Sequence, residues 1–432
     1  MHKLIIILSL ALSSSGLLAQ DLMDVYQLAL RHDAELKIAE SVYQSELESL
    51  PVATSALKPQ INFSAQGSTR ELDLATTGEN TINSTGYSLN LVQSIYNGVT
   101  LATVDAAEAN IAKALAEFEV SKQDLIQRVA ARYFTILAAQ DNLDFAVAEE
   151  NAIARQLDQA TKRFEVGLIA ITDVLEAQAR FDTAVAQSLL AENLLDNANQ
   201  ALQVIIAQPP SDSPARLGDR LELVIPEPAN SQQWVEMSLQ NNQSLIAALA
   251  AQKAADFERQ RTSKSRYPTV DLTASYSDSS IDDDIIGDLD QEDLTLLIQL
   301  NVPLFTGGRI SAERQQAEAN YRSAQSAALL QQRLTTEQTR NAYLGVVFGI
   351  SQVKALKQAL ASSTTALEAT KAGFDVGTRT SVDVLISLRE TFRAQRDYAR
   401  ARYDYLINTL KLKQATGLLS GDDLEQINLW LF

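Results

Sequence analysis

The chain of 432 residues contains no cysteine. That excludes disulfides, thiolate catalysis and a lipid-modified N-terminal cysteine, so any attachment to a membrane must come from the fold itself. Histidine is almost as scarce, with only His2 and His32. A Ser/His/Asp triad or a multi-histidine metal site would lack its commonest parts, and His32 reads as a surface helix residue. Basic residues are outnumbered, with 36 Lys and Arg against 54 Asp and Glu and a formal net charge of −18. No basic stripe is present to neutralise phosphates, so no nucleic-acid partner is expected. Beyond the N-terminus there is no apolar run of about 18 residues, and no transmembrane helix is expected. With no nucleophile, phosphate loop or metal set in view, neither an enzyme nor a cofactor is expected.

Proline is absent from long tracts. All nine fall at positions 51, 59, 209, 210, 214, 226, 228, 268 and 303. Proline stops helices, and here it is kept out of residues 60–208 and 304–432. Glycine is missing from Val99 through Phe164, a segment rich in Ala, Gln, Glu, Leu and Lys. Nothing interrupts a helix there, and at about 1.5 Å per residue it would run for roughly 100 Å. A rod of that length buries its apolar stripe only against other rods, and alanines such as Ala106, Ala109 and Ala112 allow close approach. A second long helix is expected after Asp173, ending near Gln208.

The opening MHKLIIILSLALSSSGLLAQ places Lys3 before an apolar run and small residues leading to Ala19. It predicts a secretory signal peptide over residues 1–19.

The remainder repeats itself. At a shift of 209 residues, Leu36 meets Leu245, Pro59 meets Pro268, Leu91 meets Leu300 and Gly98 meets Gly307. The shift then becomes 210, pairing Tyr133 with Tyr343, Phe164 with Phe374, Gly167 with Gly377 and Asp173 with Asp383. Two structural repeats follow, over residues 20–228 and 229–432. Each has a short amphipathic helix, as in VYQLALRHDAELKIAE, then two polar–apolar alternations, then a long helical hairpin. Gly167 and Gly377 mark the reversals, because glycine accepts the positive φ that a helix end needs.

The alternations have the period of strands. Ile61, Phe63 and Ala65 oppose Asn62, Ser64 and Gln66, while Tyr87, Leu89 and Leu91 oppose Ser88 and Asn90. Val270, Leu272, Ala274 and Tyr276 form the third run, and Leu294, Leu296, Ile298, Leu300 and Val302 the fourth. Each is about ten residues long, enough to cross a bilayer at a tilt. The alternation alone fits a soluble sheet equally well, and the long rods tip the balance toward a barrel. Four membrane strands cannot close a barrel alone, since spanning barrels have about eight or more and tolerate no open edge. Several copies must join.

The segments RQLDQATKRFEVGLIAITDV, AGFDVGTRTSVDVL, ARYDYLINTLKLKQATG, SIYNG and VPLFTGG closely resemble the TolC family of outer-membrane efflux ducts, over the whole mature chain. The resemblance implies a mixed α/β membrane protein: a homotrimer sharing a twelve-stranded outer-membrane β-barrel, four strands per chain, that continues into a long periplasmic α-helical barrel. A belt would form from residues 209–235 and the C-terminus. It implies a passive exit duct for multidrug efflux or type I secretion in a Gram-negative outer membrane, in contact with its lipid. The implied partners are a periplasmic adaptor, or membrane fusion protein, and an inner-membrane RND, ABC or MFS transporter. An adhesin stalk is the alternative, although a stalk would show one continuous heptad register instead of paired hairpins.

By the same resemblance, Arg379 reaches Thr172 and Asp173 on the adjoining hairpin and latches the entrance. Phe374 stands at the latch tyrosine, Asp383 at the entrance aspartate, and Val166, Gly167, Val376 and Gly377 at the tips that meet the adaptor. The family pattern is broken at Ile386, where a second aspartate is missing, at Phe374, which cannot donate a hydrogen bond, and at Lys371, which replaces an acid. A gate with fewer polar ties and weaker cation block is expected. Asp383 also suits a helix cap after Thr380 and Ser381. The run SDSSIDDDIIGDLDQED from Ser277 echoes a calcium loop at Asp282, Asp284, Gly287, Asp288 and Asp290, but Ile286 falls at a ligand position and strands flank it. An extracellular loop is expected there, with no metal site.

Overall fold

A computed structural model describes residues 21–74, 78–211, 214–218, 220–283 and 287–431. The expected signal peptide, residues 1–19, and Asp284 and Ile286 of the acidic run lie outside the described residues. The chain folds as α1 (Leu22–His32), α2 (Ala34–Leu47), α3 (Ser49–Ser55), β1 (Gln60–Leu74), β2 (Gly78–Tyr96), α4 (Gly98–Glu165) and α5 (Ile171–Ile206). It then runs through α6 (Ser231–Asn241), α7 (Gln243–Lys264), β3 (Thr269–Asp283), β4 (Leu289–Asn301), α8 (Arg309–Asp375), α9 (Ser381–Ala415) and α10 (Gly421–Asn428). Two compact units result, one of Met1–Leu36, Lys122–Gln240 and Thr336–Phe432, the other of Lys37–Ser121 and Asn241–Thr335.

The second unit holds one antiparallel sheet in the order β1-β2-β3-β4. Its register lines up the alternations that the sequence shows separately. Phe63 faces Leu89, Leu89 faces Tyr276, and Tyr276 faces Leu294, while Ile61, Leu91, Ala274 and Leu296 form the next row. One face is therefore an unbroken apolar band. The outer strands leave it open, with Phe63 at 69% and Leu296 at 72% exposure, while Leu91, Ala274 and Tyr276 between them are half-buried. On the other face Ser64 and Ser88 share a hydrogen bond of 2.8 Å.

The strands run beyond the expected ten residues, because polar pairs such as Glu71 with Thr81 and Ser280 with Asp290 continue the ladder past the apolar band. Backbone hydrogen bonds hold such a ladder whatever its side chains, so periodicity could not reveal it. This corrects the reading of the acidic run as a loop: it is strand through Asp283 and again from Leu289. In the same unit Ala106 and Ala109 are buried as expected and Ala102 joins them, but Ala112 is exposed and Ala116 is buried instead.

In the first unit, α5 buries Ala177, Ala184, Ala191 and Ala198 at intervals of seven. A strict seven-residue repeat drifts against the helix period and imposes a left-handed supercoil on the packing partner. The amphipathic segment near the N-terminus, expected as one helix, breaks at Asp33. Its carboxylate accepts from the Leu36 amide at 2.8 Å and pairs with Arg128 at 2.8 Å. Burial alone would raise the Asp33 carboxyl pKa, but these bonds outweigh it and hold it low. In the second unit Asn242 makes the equivalent cap to Leu245 at 3.0 Å.

The segments expected to form a belt are hydrogen-bonded to the long helices. Tyr133 donates to the Ala215 carbonyl at 2.8 Å, Arg402 donates to the Leu217 and Gly218 carbonyls, and the Val224 amide donates to the Tyr405 hydroxyl at 3.0 Å. Gly218 also bonds Trp430 near the C-terminus. The Tyr403 hydroxyl donates to Asp141 at 2.7 Å. Burial pushes both groups' pKa values up, and for Tyr403 the neighbouring carboxylate adds to the effect. His32 is exposed in the last turn of α1.

Candidate functional site at the helical reversals

The two hairpins α4/α5 and α8/α9 share an apolar core near their tips. Ile153 and Ala160 of α4, Ala177 and Ala184 of α5, Leu367 of α8, and Leu385 and Leu388 of α9 are all buried in it. That core fixes where the reversals stand within the first unit.

At the first reversal, Gly167 has φ +75° and its amide bonds the Phe164 carbonyl at 2.8 Å, while Leu168 reaches back to Arg163 at 2.8 Å. At the second, Gly377 has φ +80°, its amide bonds Phe374, and Thr378 reaches back to Gly373 at 2.8 Å. Only glycine adopts this left-handed backbone without a Cβ penalty, and the back-bonds satisfy carbonyls that a helix end orphans. Val166 and Val376 project beside them at 69% and 76% exposure.

The reversals differ in how the returning helix begins. Helix α9 starts at Thr380, whose hydroxyl accepts from the Asp383 amide at 3.2 Å. The Asp383 carboxylate in turn accepts from the Thr380 amide at 2.9 Å, completing a capping box. That amide, then the Thr380 hydroxyl and the nearby Arg379 charge, hold the Asp383 carboxyl below the usual range. Helix α5 starts at Ala170, which has no side-chain acceptor, and Asp173 makes only a backbone bond to it. Of two aspartates at equivalent positions, one is engaged in its own helix cap and the other is left available.

Arg379 is exposed, and its stem crosses Gly373, where an added Cβ would lie 2.8 Å from the Arg379 Cγ. Phe374 is half-buried beneath the Arg163 guanidinium of the other hairpin, 4.4 Å above its ring. Arg379, Asp383 and Phe374 thus gather at the second reversal, and Thr172 and Asp173 stand at the first. Among the described residues no hydrogen bond joins Arg379 to Thr172 or Asp173 within one chain. Sequence reasoning missed Arg163 and Gly373. Ile386 is half exposed, and no cluster of potential metal ligands occurs among the described residues.

A family model of outer membrane efflux proteins matches residues 25–208 and 234–418. Outer membrane protein TolC of Vibrio cholerae serotype O1 is 36% identical, covering 97% of this chain and 95% of its own. TolC of Escherichia coli K12 is 32% identical over 99% of this chain and 89% of its own. The proteases secretion protein PrtF of Dickeya chrysanthemi is 27% identical over 100% and 96%. Among solved structures, the Campylobacter jejuni CmeC outer membrane channel superposes with a TM-score of 0.81 at 18% identity, covering 95% of this chain and 89% of that one. The fold read from the sequence, four barrel strands and two long helical hairpins per chain, is the fold of that channel. The chain belongs to the outer membrane efflux protein family.

Proposed function

We propose that three copies of this chain close one barrel and that their helical reversals form its gated periplasmic entrance. The protein is an outer-membrane exit duct of efflux and type I secretion and reaches into the periplasm. The observation that carries the assembly is the sheet: β1 and β4 each pair on one side only, and the apolar face beside those free edges is open. In lipid each unpaired amide and carbonyl costs several kcal/mol, so the edges must meet those of other copies. Twelve strands then close the wall, with the apolar band against outer-membrane lipid.

The latch is proposed to form between copies. Arg379 is exposed and Asp173 carries no cap, so the guanidinium can fork onto Thr172 and Asp173 of an adjoining hairpin. Each such exposed pair contributes about 0.2–1 kcal/mol, which suits a gate that partners can open. Asp383 keeps one carboxylate oxygen outside its capping box. Three copies around one axis would offer a single, modest cation site, with Ile386 adding no second ring. The exposed Val166 and Val376 beside Gly167 and Gly377 suit contact with a periplasmic adaptor, which would couple the duct to an inner-membrane RND, ABC or MFS transporter. The chain conducts passively and performs no catalysis of its own.

The test is dye accumulation and detergent sensitivity in a strain that lacks the gene. Loss should raise both and re-expression should restore them. Unchanged accumulation with unchanged detergent tolerance would reject the duct and favour a structural surface role.

A further inference from the structure

We propose that a groove between α4, α5 and α9 is a binding site for an amphiphilic anion: an apolar body that carries a sulfonate, sulfate or carboxylate head. The site stands on the groove alone. That its ligand is cargo retained near the entrance rests on the duct proposal.

The groove lies within the first unit and has a volume of about 630 Å³, inside the roughly 300–1,000 Å³ of small-molecule sites. Its floor is apolar, because Ile153, Ala184 and Leu385 belong to the buried core that joins the two hairpins. Its rim is basic. Arg180 of α5 and Arg389, Arg393 and Arg396 of α9 line it, against Glu149 and Glu390. An apolar floor under a few convergent cations suits a ligand with one charged end.

The arginines are not equally occupied. Arg396 pairs with the mostly buried Glu149 at 3.2 Å, and Arg180 with Glu176 of its own helix at 3.3 Å. Arg393 meets Glu390 and Asp397 only at 3.9 Å, beyond hydrogen-bond reach. Arg389 makes no ion pair among the described residues. Arg389 and Arg393 stand four residues apart, so they neighbour each other on one side of α9, where like charges repel. An anion shared by the two guanidiniums relieves that repulsion and takes up donors that the protein leaves unused.

Ile386 sharpens the assignment. It also lines the groove, three residues before Arg389 and on the same side of the helix. The family resemblance puts an aspartate there, at the right spacing to pair with Arg389 and satisfy the site from within. Here a half-exposed isoleucine extends the apolar surface and leaves the guanidinium to a ligand. The departure that removes a second acidic ring thereby creates a place for an anion.

The test is calorimetric titration of the purified, assembled protein in lipid nanodiscs. The probe is naphthalene-1-sulfonate, with 1-naphthylmethylammonium as a cation on the same ring system. The sulfonate should bind saturably and the ammonium should not. Arg389→Gln and Arg393→Gln should each weaken the sulfonate roughly tenfold, the loss of one charge-assisted hydrogen bond. Ile386→Asp should weaken it by a similar factor. Glu390→Gln should tighten it, a gain that a misfolded variant cannot give. No saturable binding of the sulfonate, equal affinity for both ions, or affinity unchanged in both arginine variants would overturn the site. These titrations read affinity, whereas dye accumulation reads transport, so the groove and the duct fail separately.

Discussion

The two helical reversals leave α4 and α8 in the same way and enter α5 and α9 differently. Each turns on a glycine with φ near +75 to +80° and closes with the same back-bonds. Thr380 then caps α9 and draws Asp383 into the box, while Ala170 gives α5 no side-chain cap. A duplicated unit has thus kept the turn that its chain path requires and varied the residue that decides whether an aspartate is drawn into its own helix cap.

The comparison is most strongly tested at what the two reversals share. Gly167→Val and Gly377→Val should each cost about 1–2 kcal/mol of local stability, the cost of a left-handed L-residue. The costs should be equal, because neither position has an atom within 4 Å of an added Cβ. Hydrogen exchange at the Leu168 and Thr378 amides measures it, and a large difference between the two would break the equivalence.

A smaller effect is expected where the reversals differ. Thr380→Ala should destabilise the first turn of α9 by about 1 kcal/mol, in line with loss of an N-cap. The converse change, Ala170→Thr, should stabilise the start of α5 by up to about the same amount and engage Asp173 in a new box. By withdrawing that carboxylate from the latch it should also raise the resting conductance. A more stable α5 with a tighter entrance would show that Asp173 has no part in closure.

Much of this architecture is written locally and is therefore legible. Alternating residues such as Phe63 and Leu296, the proline-free tracts and the paired Gly167 and Gly377 each report a backbone state through their own stereochemistry. The break at Asp33 was harder, since Asp is compatible with a helix interior; its alignment with Asn242, both three residues before a leucine, was the available signal. The polar outer halves of the strands carry no apolar period to detect. Arg163 over Phe374 joins residues 211 positions apart in sequence, and only the packing of two hairpins brings them together. Ala170 opposite Thr380 could have been read from the repeat alone, because N-cap chemistry is a property of the single residue.

The gate assignment is tested most directly by a disulfide, which a cysteine-free chain allows without background. Thr172→Cys and Arg379→Cys in one chain, oxidised in the assembled protein, should give covalently joined copies on a denaturing gel and a channel locked at low conductance, while neither single variant does so. Oxidation that leaves every chain at monomer mobility, with the channel opening as before, would contradict a latch between copies.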